Sequence, residues 1–258
     1  MIERAVRHTR DHGISSTIRV ASRPVYARIL DAAPRSSMAI IRAHCRLNPH
    51  RTDADPFKIL WIDPFEITRS RHRYPSGWGF VERTPLKEPE PIEGRPPFPE
   101  IDRFVNTGDA GGLRTVFERD TNVLGYPRHS NGGVEDRIQE VRELANTIAI
   151  DGYRTQRELL EEAEATHERA ANDPVPARLN EIIVDIDADG EFLWRACGQT
   201  RLAIARALDL DRVAILVASR HIDWQTIRDS VRTAEDPNAV PAAYRRHLDH
   251  PDLADLGL

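Results

Sequence analysis

The sequence predicts an α+β fold, in which a core of strands and helices carries a long insertion and follows a helical arm. Three observations predict this class. In the last third of the chain, apolar residues recur in the order strand, strand, helix, strand, helix. Residues 134–150 place apolar side chains at helical spacing, and residues 58–63 form an isolated strand candidate. The 258 residues suffice for such a core, as one large domain or two modest ones.

The first segment, residues 1–51, is predicted to be a basic arm, mostly helical, with breaks at Pro24 and Pro34. It holds ten arginines and three acidic residues, a net charge of +7, which leaves the rest of the chain with −12. Such asymmetry is typical of an arm that binds an acidic partner, a nucleic acid or a membrane surface. The alternative is that the arm docks on the acidic body of its own chain.

The core, residues 58–230, is predicted to begin with the strand in KILWIDPFEI, which ends in a turn at Pro64. The segment that follows, from Tyr74 to Pro99, is rich in proline and glycine. We expect it to be an excursion or lid rather than a core element. It opens a long insertion, residues 74–150, which also contains a possible short helix at GLRTVFERD.

Two further helices are predicted from the middle of the chain. The first, residues 134–150, is amphipathic and is terminated by the dipeptide Asp-Gly at 151–152. The second, residues 155–171, is charged on nearly all sides and is expected to be exposed; Pro174 and Pro176 end it.

The last third predicts the clearest elements. EIIVDI and EFLWRA, joined by the tight turn DADG, predict a β-hairpin over residues 181–196. Residues 200–208 predict an amphipathic helix, VAILVAS a buried strand, and RHIDWQTIRDSVRT a final helix. Residues 231–258 are expected to form a polar tail.

Aromatic and charged residues of the core have expected places too. The tryptophans on predicted strands and helices should be buried: Trp61, Trp194 and Trp224. Trp78, in the loop YPSGWG, should either anchor that loop or stack on a base or sugar. Arg195 and His221 flank the core strands, where they either reach the mouth of a pocket or serve as a surface arginine and the first residue of a helix.

The stretch RACGQTRLAIARALDL joins the second hairpin strand to a helix through Gly198. A helix that opens after a tight turn presents free backbone N–H groups at the positive end of its dipole, where an anion binds well. Thr200 is placed to cap this helix, and Arg201 in the first turn is unfavourable for the dipole unless an anion shares the site. Two interpretations stay open: a phosphate-binding turn, or a plain joint with a solvated arginine.

Residues 182–221, IIVDIDADGEFLWRACGQTRLAIARALDLDRVAILVASRH, resemble the core of the ParB/sulfiredoxin superfamily, in which a hairpin precedes Gly-x-x-Arg, a helix and a buried strand. The resemblance assigns the phosphate-contacting turn to Gly198, Gln199, Thr200 and Arg201. KILWIDPFEI is similar to the opening strand of the family. DGYRTQREL is similar to a second box, which implies that Gly152 and Gln156 line the same nucleotide pocket.

The resemblance implies a nucleotide-binding protein, with ATP, ADP or CTP as the ligand and Mg²⁺ beside it. One branch consists of small-molecule kinases, so phosphate transfer to a small hydroxyl-bearing acceptor is an expected activity. A carboxylate would then orient the acceptor, and the candidates are Asp63 and Glu66, which otherwise serve as turn residues around Pro64.

Two activities of the superfamily are not expected. Sulfiredoxins carry cysteine directly after the turn glycine, where this chain has Gln199, and Cys197 before the glycine suits a small packing residue. Chromosome-partitioning members continue into a helix-turn-helix domain, for which the 29 residues after Asp229 are too few.

The alternative function is a non-catalytic regulatory or nucleic-acid-associated protein that uses the basic arm. No run approaches the roughly 18 apolar residues that span a bilayer, and no apolar signal core follows the amino-terminal arginines. The two cysteines fit a reducing compartment, so we expect a cytoplasmic protein. His8 and His12 share a helix face without a third ligand, so no metal site is predicted.

Overall fold

The computed structural model describes residues 34–48, 51–71, 78–83, 89–119, 133–162 and 179–257. Within these ranges the fold is a seven-stranded mixed sheet with seven α-helices, which confirms the general α+β class. The strands are β1 (Ile59–Ile62), β2 (Arg69–Ser70), β3 (Phe80–Glu82), β4 (Glu90–Pro91), β5 (Ile182–Ile186), β6 (Phe192–Ala196) and β7 (Val213–His221). The helices are α1 (Pro34–Leu47), α2 (Phe98–Thr107), α3 (Gly111–Arg119), α4 (Val134–Asp151), α5 (Gln156–Glu162), α6 (Gln199–Ala207) and α7 (Ile222–Thr233). The predicted strands and helices of the last third are all confirmed.

Strand β7 is the centre of the sheet. It pairs in parallel with β5 on one side. On its other side it pairs with antiparallel β1 along its first half and with parallel β3 along its second half. The strand is buried at every position except its last, which is why its sequence is a continuous apolar run rather than an alternating one.

The hairpin of β5 and β6 extends the sheet towards the insertion. Its turn is held by Asp187, whose carboxylate accepts the N–H groups of Asp189 and Glu191. Gly190 has a φ of 90°, and a Cβ there would lie 2.6 Å from the Trp224 ring, so the turn requires glycine. Beyond β6, the short strands β2 and β4 complete the order β1-β7-β5-β6-β2-β4.

The two faces of the sheet are covered differently. Alternate side chains of β5, β6 and β7 enter a large apolar core with α2, α3, α4, α6 and α7. Opposite side chains, such as Ile183 and Leu216, enter a smaller cluster around Phe57 and Trp78, against which Met38 of α1 packs. The buried charges on the central strands lie outside both clusters.

Several predictions for single segments need correction. The described parts of segment 74–99 contribute to the core, because β3 and β4 join the sheet and both Trp78 and Ile92 are buried. The tail is not only polar, since Val240 and Leu253 pack into the large core. Trp61 is 36% exposed on edge strand β1, beneath the guanidinium of Arg212, so its predicted burial is wrong.

Other predictions hold or lie outside the described residues. Trp194 and Trp224 are buried as predicted, and Trp78 packs beside Phe57 with ring centroids 5.9 Å apart. Gly152, with a φ of 76°, terminates α4. Among the described helices, none is long and apolar enough to cross a membrane. Most of the basic arm lies outside the described residues, as do His8, His12 and residues 163–178.

Candidate functional site

The turn between β6 and α6 has the geometry that its sequence suggested. Cys197 and Gly198 both adopt left-handed backbone angles, with φ of 56° and 60°. A Cβ on Gly198 would lie 2.6 Å from Cγ1 and 2.9 Å from Cα of Ile182, so no other residue fits without a shift of β5. Glycine is therefore required here by backbone angle and by close approach at once.

Helix α6 opens directly on this turn. The first helical hydrogen bond runs from the N–H of Leu202 to the carbonyl of Gly198 at 2.8 Å, so the preceding three amides of α6 stand at its positive end. Thr200 is not the cap, because Gly198 occupies that position and has no side chain to offer. The Gln199 side chain instead donates to the carbonyl of Pro96 at 3.2 Å.

Arg201 is held inside the protein. Only 9% of the residue is exposed, so its interpretation as a solvated arginine is wrong. Its Nη1 lies 3.1 Å from Oε2 of Glu181, and its Nη2 donates to the carbonyl of Asn180. The cation that is misplaced in the first turn of α6 is thus neutralised by a carboxylate of its own chain.

Glu181 also joins the second predicted box to the first. The N–H of Gln156, the first residue of α5, donates to Oε1 of Glu181 at 2.6 Å. Thr155 and Glu158 form a reciprocal cap that fixes this end of α5. The boxes containing Gly152 and Gly198 are more than forty residues apart in the chain, and the structure brings them together at one carboxylate. We call Glu181, Arg201 and the Gln156 amide the Glu181 recess.

Burial governs the electrostatics of this recess. It raises the pKa of Glu181 above its usual range, although the charge of Arg201 and the Gln156 amide favour the carboxylate. Burial also raises the pKa of Tyr153, which belongs to the second box and lies near the charges of Glu181 and Arg201, to about 12. The Tyr153 hydroxyl is therefore neutral at physiological pH.

The predicted acceptor-orienting carboxylates lie elsewhere. Asp63 accepts the N–H of Phe65 at 2.7 Å and starts the 3₁₀ turn Pro64–Glu66, as its alternative interpretation proposed. That turn meets the last turn of α6, where Arg206 donates to the carbonyl of Ile67. Gly198 is eight residues before Arg206, about 12 Å along the helix axis. Partial burial raises the pKa of Glu66, but neither carboxylate adjoins the amides of α6.

A second buried polar group was missed by sequence reasoning. Arg195 is fully buried rather than a surface residue, and its Nη1 meets Glu82, Asp185 and Ser219 of three other strands. We call this group the strand cluster; its members are Arg71, Glu82, Asp185, Arg195 and Ser219. The signal was present in the sequence, because Asp185 and Arg195 each interrupt an apolar strand. His221, in contrast, accepts the N–H of Asp223 as the first residue before α7, in agreement with one interpretation.

The described residues also line a cleft of about 280 Å³ away from the Glu181 recess. It lies between the hairpin turn, α7 and the carboxyl-terminal segment. Its polar lining consists of Asp189, Asp223, Thr226, Tyr244, Arg246 and His247.

Comparison of the chain with models of protein families, with curated proteins and with solved structures finds no match.

Proposed function

We propose that the protein binds a nucleotide through its phosphates at the Glu181 recess, as a member of the ParB/sulfiredoxin superfamily. One observation carries the proposal. Two segments that the resemblance assigned to a single pocket meet at one carboxylate, which takes hydrogen bonds from the Gln156 amide and from Arg201. An amide and a guanidinium that converge on a carboxylate oxygen suit a phosphate oxygen equally well.

Glu181 has a defined part in this proposal. Without ligand it neutralises Arg201, which would otherwise be a buried cation with no counter-ion. A phosphate that approaches the amides of α6 competes with Glu181 for Arg201. Because burial already raises the pKa of Glu181, its carboxyl group can take up a proton when the phosphate brings new negative charge. The recess thus exchanges one anion for another.

The geometry supports nucleotide binding more directly than phosphate transfer. Mg²⁺ prefers carboxylate and phosphate oxygens as ligands. The carboxylate of the recess, Glu181, is already paired with Arg201. Asp63 and Glu66 adjoin the far end of α6. We therefore derive no transfer step. Kinase activity on a small hydroxyl-bearing acceptor is a separate hypothesis that goes beyond nucleotide binding.

Isothermal titration with ATP, ADP and CTP, with and without Mg²⁺, tests the proposal. Arg201→Ala should weaken nucleotide binding at least tenfold, because the phosphate loses its guanidinium. Glu181→Gln should strengthen it, because the competing negative charge is removed. Arg206→Ala is the matched control: it removes an arginine from the same helix, bound to Ile67 and Glu93, and should leave the affinity unchanged.

Opposite effects of the first two substitutions are the signature of anion exchange at Glu181. The proposal fails if the wild-type protein binds none of the three nucleotides. It also fails if Arg201→Ala binds as tightly as wild type while circular dichroism shows both to be folded.

The alternative function, binding of an acidic partner through the arm, gains no support from the described end of that arm. Arg42 lies 2.9 Å from the Asp55 carboxylate, and Arg51 stacks 3.4 Å from the Phe80 ring centroid. Both arginines are engaged by their own chain, which favours the docking interpretation for this part.

A further inference from the structure

Arg195 is buried with only part of its guanidinium bonded. Nη1 contacts Oδ1 of Asp185 and lies 2.9 Å from Oγ of Ser219, which in turn donates to Asp185 at 2.6 Å. Nε and Nη2 are also buried, and within the described part of the chain they have no hydrogen-bond partner. Together these two nitrogens carry three N–H groups, and each buried donor without a partner costs about 1–3 kcal/mol.

The unpartnered nitrogens form a specific binding edge. Nε and Nη2 are the pair with which a guanidinium grips two oxygens of one group at once. Among the described residues, other arginines place a carboxylate on that same edge, for example Arg69 with Glu191, Arg114 with Glu135, and Arg220 with Asp252. A carboxylate is therefore the group that the Nε/Nη2 edge of an arginine binds repeatedly in this fold.

Arg228 is a second buried arginine with which Arg195 can be compared. Arg228, equally buried, holds the carboxylate of Asp53 on its Nε/Nη2 edge at 3.0 and 3.1 Å. It also holds the carboxylate of Asp255 through Nη1 and Nη2, both at 3.1 Å. A buried guanidinium of this fold thus accommodates two carboxylates and uses its Nε/Nη2 edge for one of them, whereas both carboxylates near Arg195, Asp185 in contact and Glu82 at 3.9 Å, lie at Nη1.

The cluster brings charges of both signs together. Arg71 lies 3.4 Å from Oδ2 of Asp185 and 2.9 Å from Glu82, so two arginines and two carboxylates balance. One added carboxylate brings a single negative charge to these two arginines. A phosphate dianion would bring twice that charge into a buried site.

We propose that the Nε/Nη2 edge of Arg195 binds the carboxylate of a small organic acid, at a site separate from the Glu181 recess. A small ligand is required because Arg195 is fully buried among strands β3, β5, β6 and β7. The carboxylate accepts two parallel hydrogen bonds from the edge, while Ser219 and Asp185 hold the opposite side of the guanidinium.

The test follows the Arg195 side chain itself in the wild-type protein. The Nε–H resonance of Arg195, assigned through its own Cδ, is recorded during titration with acetate and malonate at constant ionic strength. Inorganic phosphate is titrated in parallel. We expect a saturable downfield shift with the carboxylates, because Nε–H becomes a hydrogen-bond donor to an anion.

Arg195→Lys keeps the charge but removes the two-nitrogen edge, and should weaken malonate binding at least tenfold by calorimetry. Arg114→Lys makes the same change at an exposed edge and should leave the affinity unchanged. ATP binding at the Glu181 recess should be unaffected by Arg195→Lys, so the two proposals fail independently.

Three results overturn the proposal. The first is an Nε–H resonance that no carboxylate moves. The second is a response to phosphate alone. The third is a nuclear Overhauser contact that shows only a bound water at Nε–H, unchanged by malonate. All three are observed on the wild-type protein, so a variant that fails to fold leaves the test intact.

Discussion

Two groups of buried charges in this protein differ in how completely they are paired. In the C-terminal cluster, which consists of Asp53, Arg220, Arg228, Asp252 and Asp255, both arginines have a carboxylate on the Nε/Nη2 edge. In the strand cluster, Arg195 has none there within the described residues. This difference is the basis of our proposal that the Nε/Nη2 edge of Arg195 is available to a ligand, whereas those of Arg220 and Arg228 serve the fold.

The C-terminal cluster behaves as a structural clasp. Asp252 joins Arg220 to the indole N–H of Trp224, and Arg228 donates to the Asp252 backbone. Burial opposes the charge of Asp252, but Arg220 and Arg228 outweigh it and lower its pKa. Arg228 similarly holds the pKa of Asp53 at about 2, against the effect of burial. These interactions tie the tail to β7 and α7.

The largest effect is expected when the clasp loses its central carboxylate. Asp252→Asn keeps the shape but leaves Arg220 without its counter-ion in a buried site. Breaking such a pair costs about 3–5 kcal/mol of unfolding free energy, measured by urea denaturation.

Glu135→Gln is the matched control, because it neutralises the partner of exposed Arg114. An exposed pair contributes about 0–1 kcal/mol, so the control should unfold almost as the wild type does. Equal losses in the two variants would show that Asp252 is no more important than a surface carboxylate.

The second prediction compares the two buried arginines directly. Arg228→Met removes the partner of two carboxylates and should cost about 3–5 kcal/mol. Arg195→Met should cost less, about 1–3 kcal/mol. Asp185 keeps Arg71 and Ser219, and three unpaired N–H groups are removed with the guanidinium.

Urea denaturation of both variants, without added carboxylates, measures the difference. If Arg195→Met is as destabilising as Arg228→Met, Arg195 is already fully partnered and the contrast between the clusters is wrong.

The sequence predicted the local elements well and the long-range pairings poorly. Hairpin, helix and central strand follow from apolar periodicity and from turn residues such as Gly190 and Gly198, which act within a few residues of chain. Strands β2, β3 and β4 have two or three residues each, too few for a periodic pattern. They form only because β6, β7 and β2, respectively, offer them a pairing edge. No local sequence pattern predicts strands as short as these.

The same limit applies to the candidate site. Gly198 and Gln156 were placed in one site by resemblance, but Glu181, which joins them, was taken as part of an ordinary strand. Its role depends on a contact with Arg201, twenty residues away, and on the first amide of α5. Likewise, Arg195 was expected at the mouth of a pocket or on the surface, because arginines are rarely buried without a partner, and only the three-dimensional arrangement supplies Asp185 and Ser219.

The smallest predicted effect concerns His250, which closes the clasp on the hairpin. Its Nδ1 accepts the N–H of Asp252 at 3.1 Å, so Nε2 carries the proton that is donated to the carbonyl of Gly190 at 2.9 Å. Burial lowers the pKa of His250 below 6.5; the charge of Asp252 acts in the opposite direction, and His247 and Arg220 reinforce burial.

Because the folded state binds this proton more weakly, the unfolded state carries more protons below pH 6.5. The stabilisation is therefore complete above pH 6.5 and is lost as the pH falls towards the lowered pKa of folded His250. The slope for one proton cannot exceed about 1.4 kcal/mol per pH unit. His250→Asn should lose this slope between pH 5 and 7 in urea denaturation. His247→Asn should keep most of it, since Nδ1 and Nε2 of His250 remain bonded. Burial, together with Arg246, also lowers the pKa of His247, so His250→Asn should keep the contribution of His247. A slope as steep as that of the wild type in His250→Asn would place the titrating group elsewhere and leave the clasp insensitive to acid.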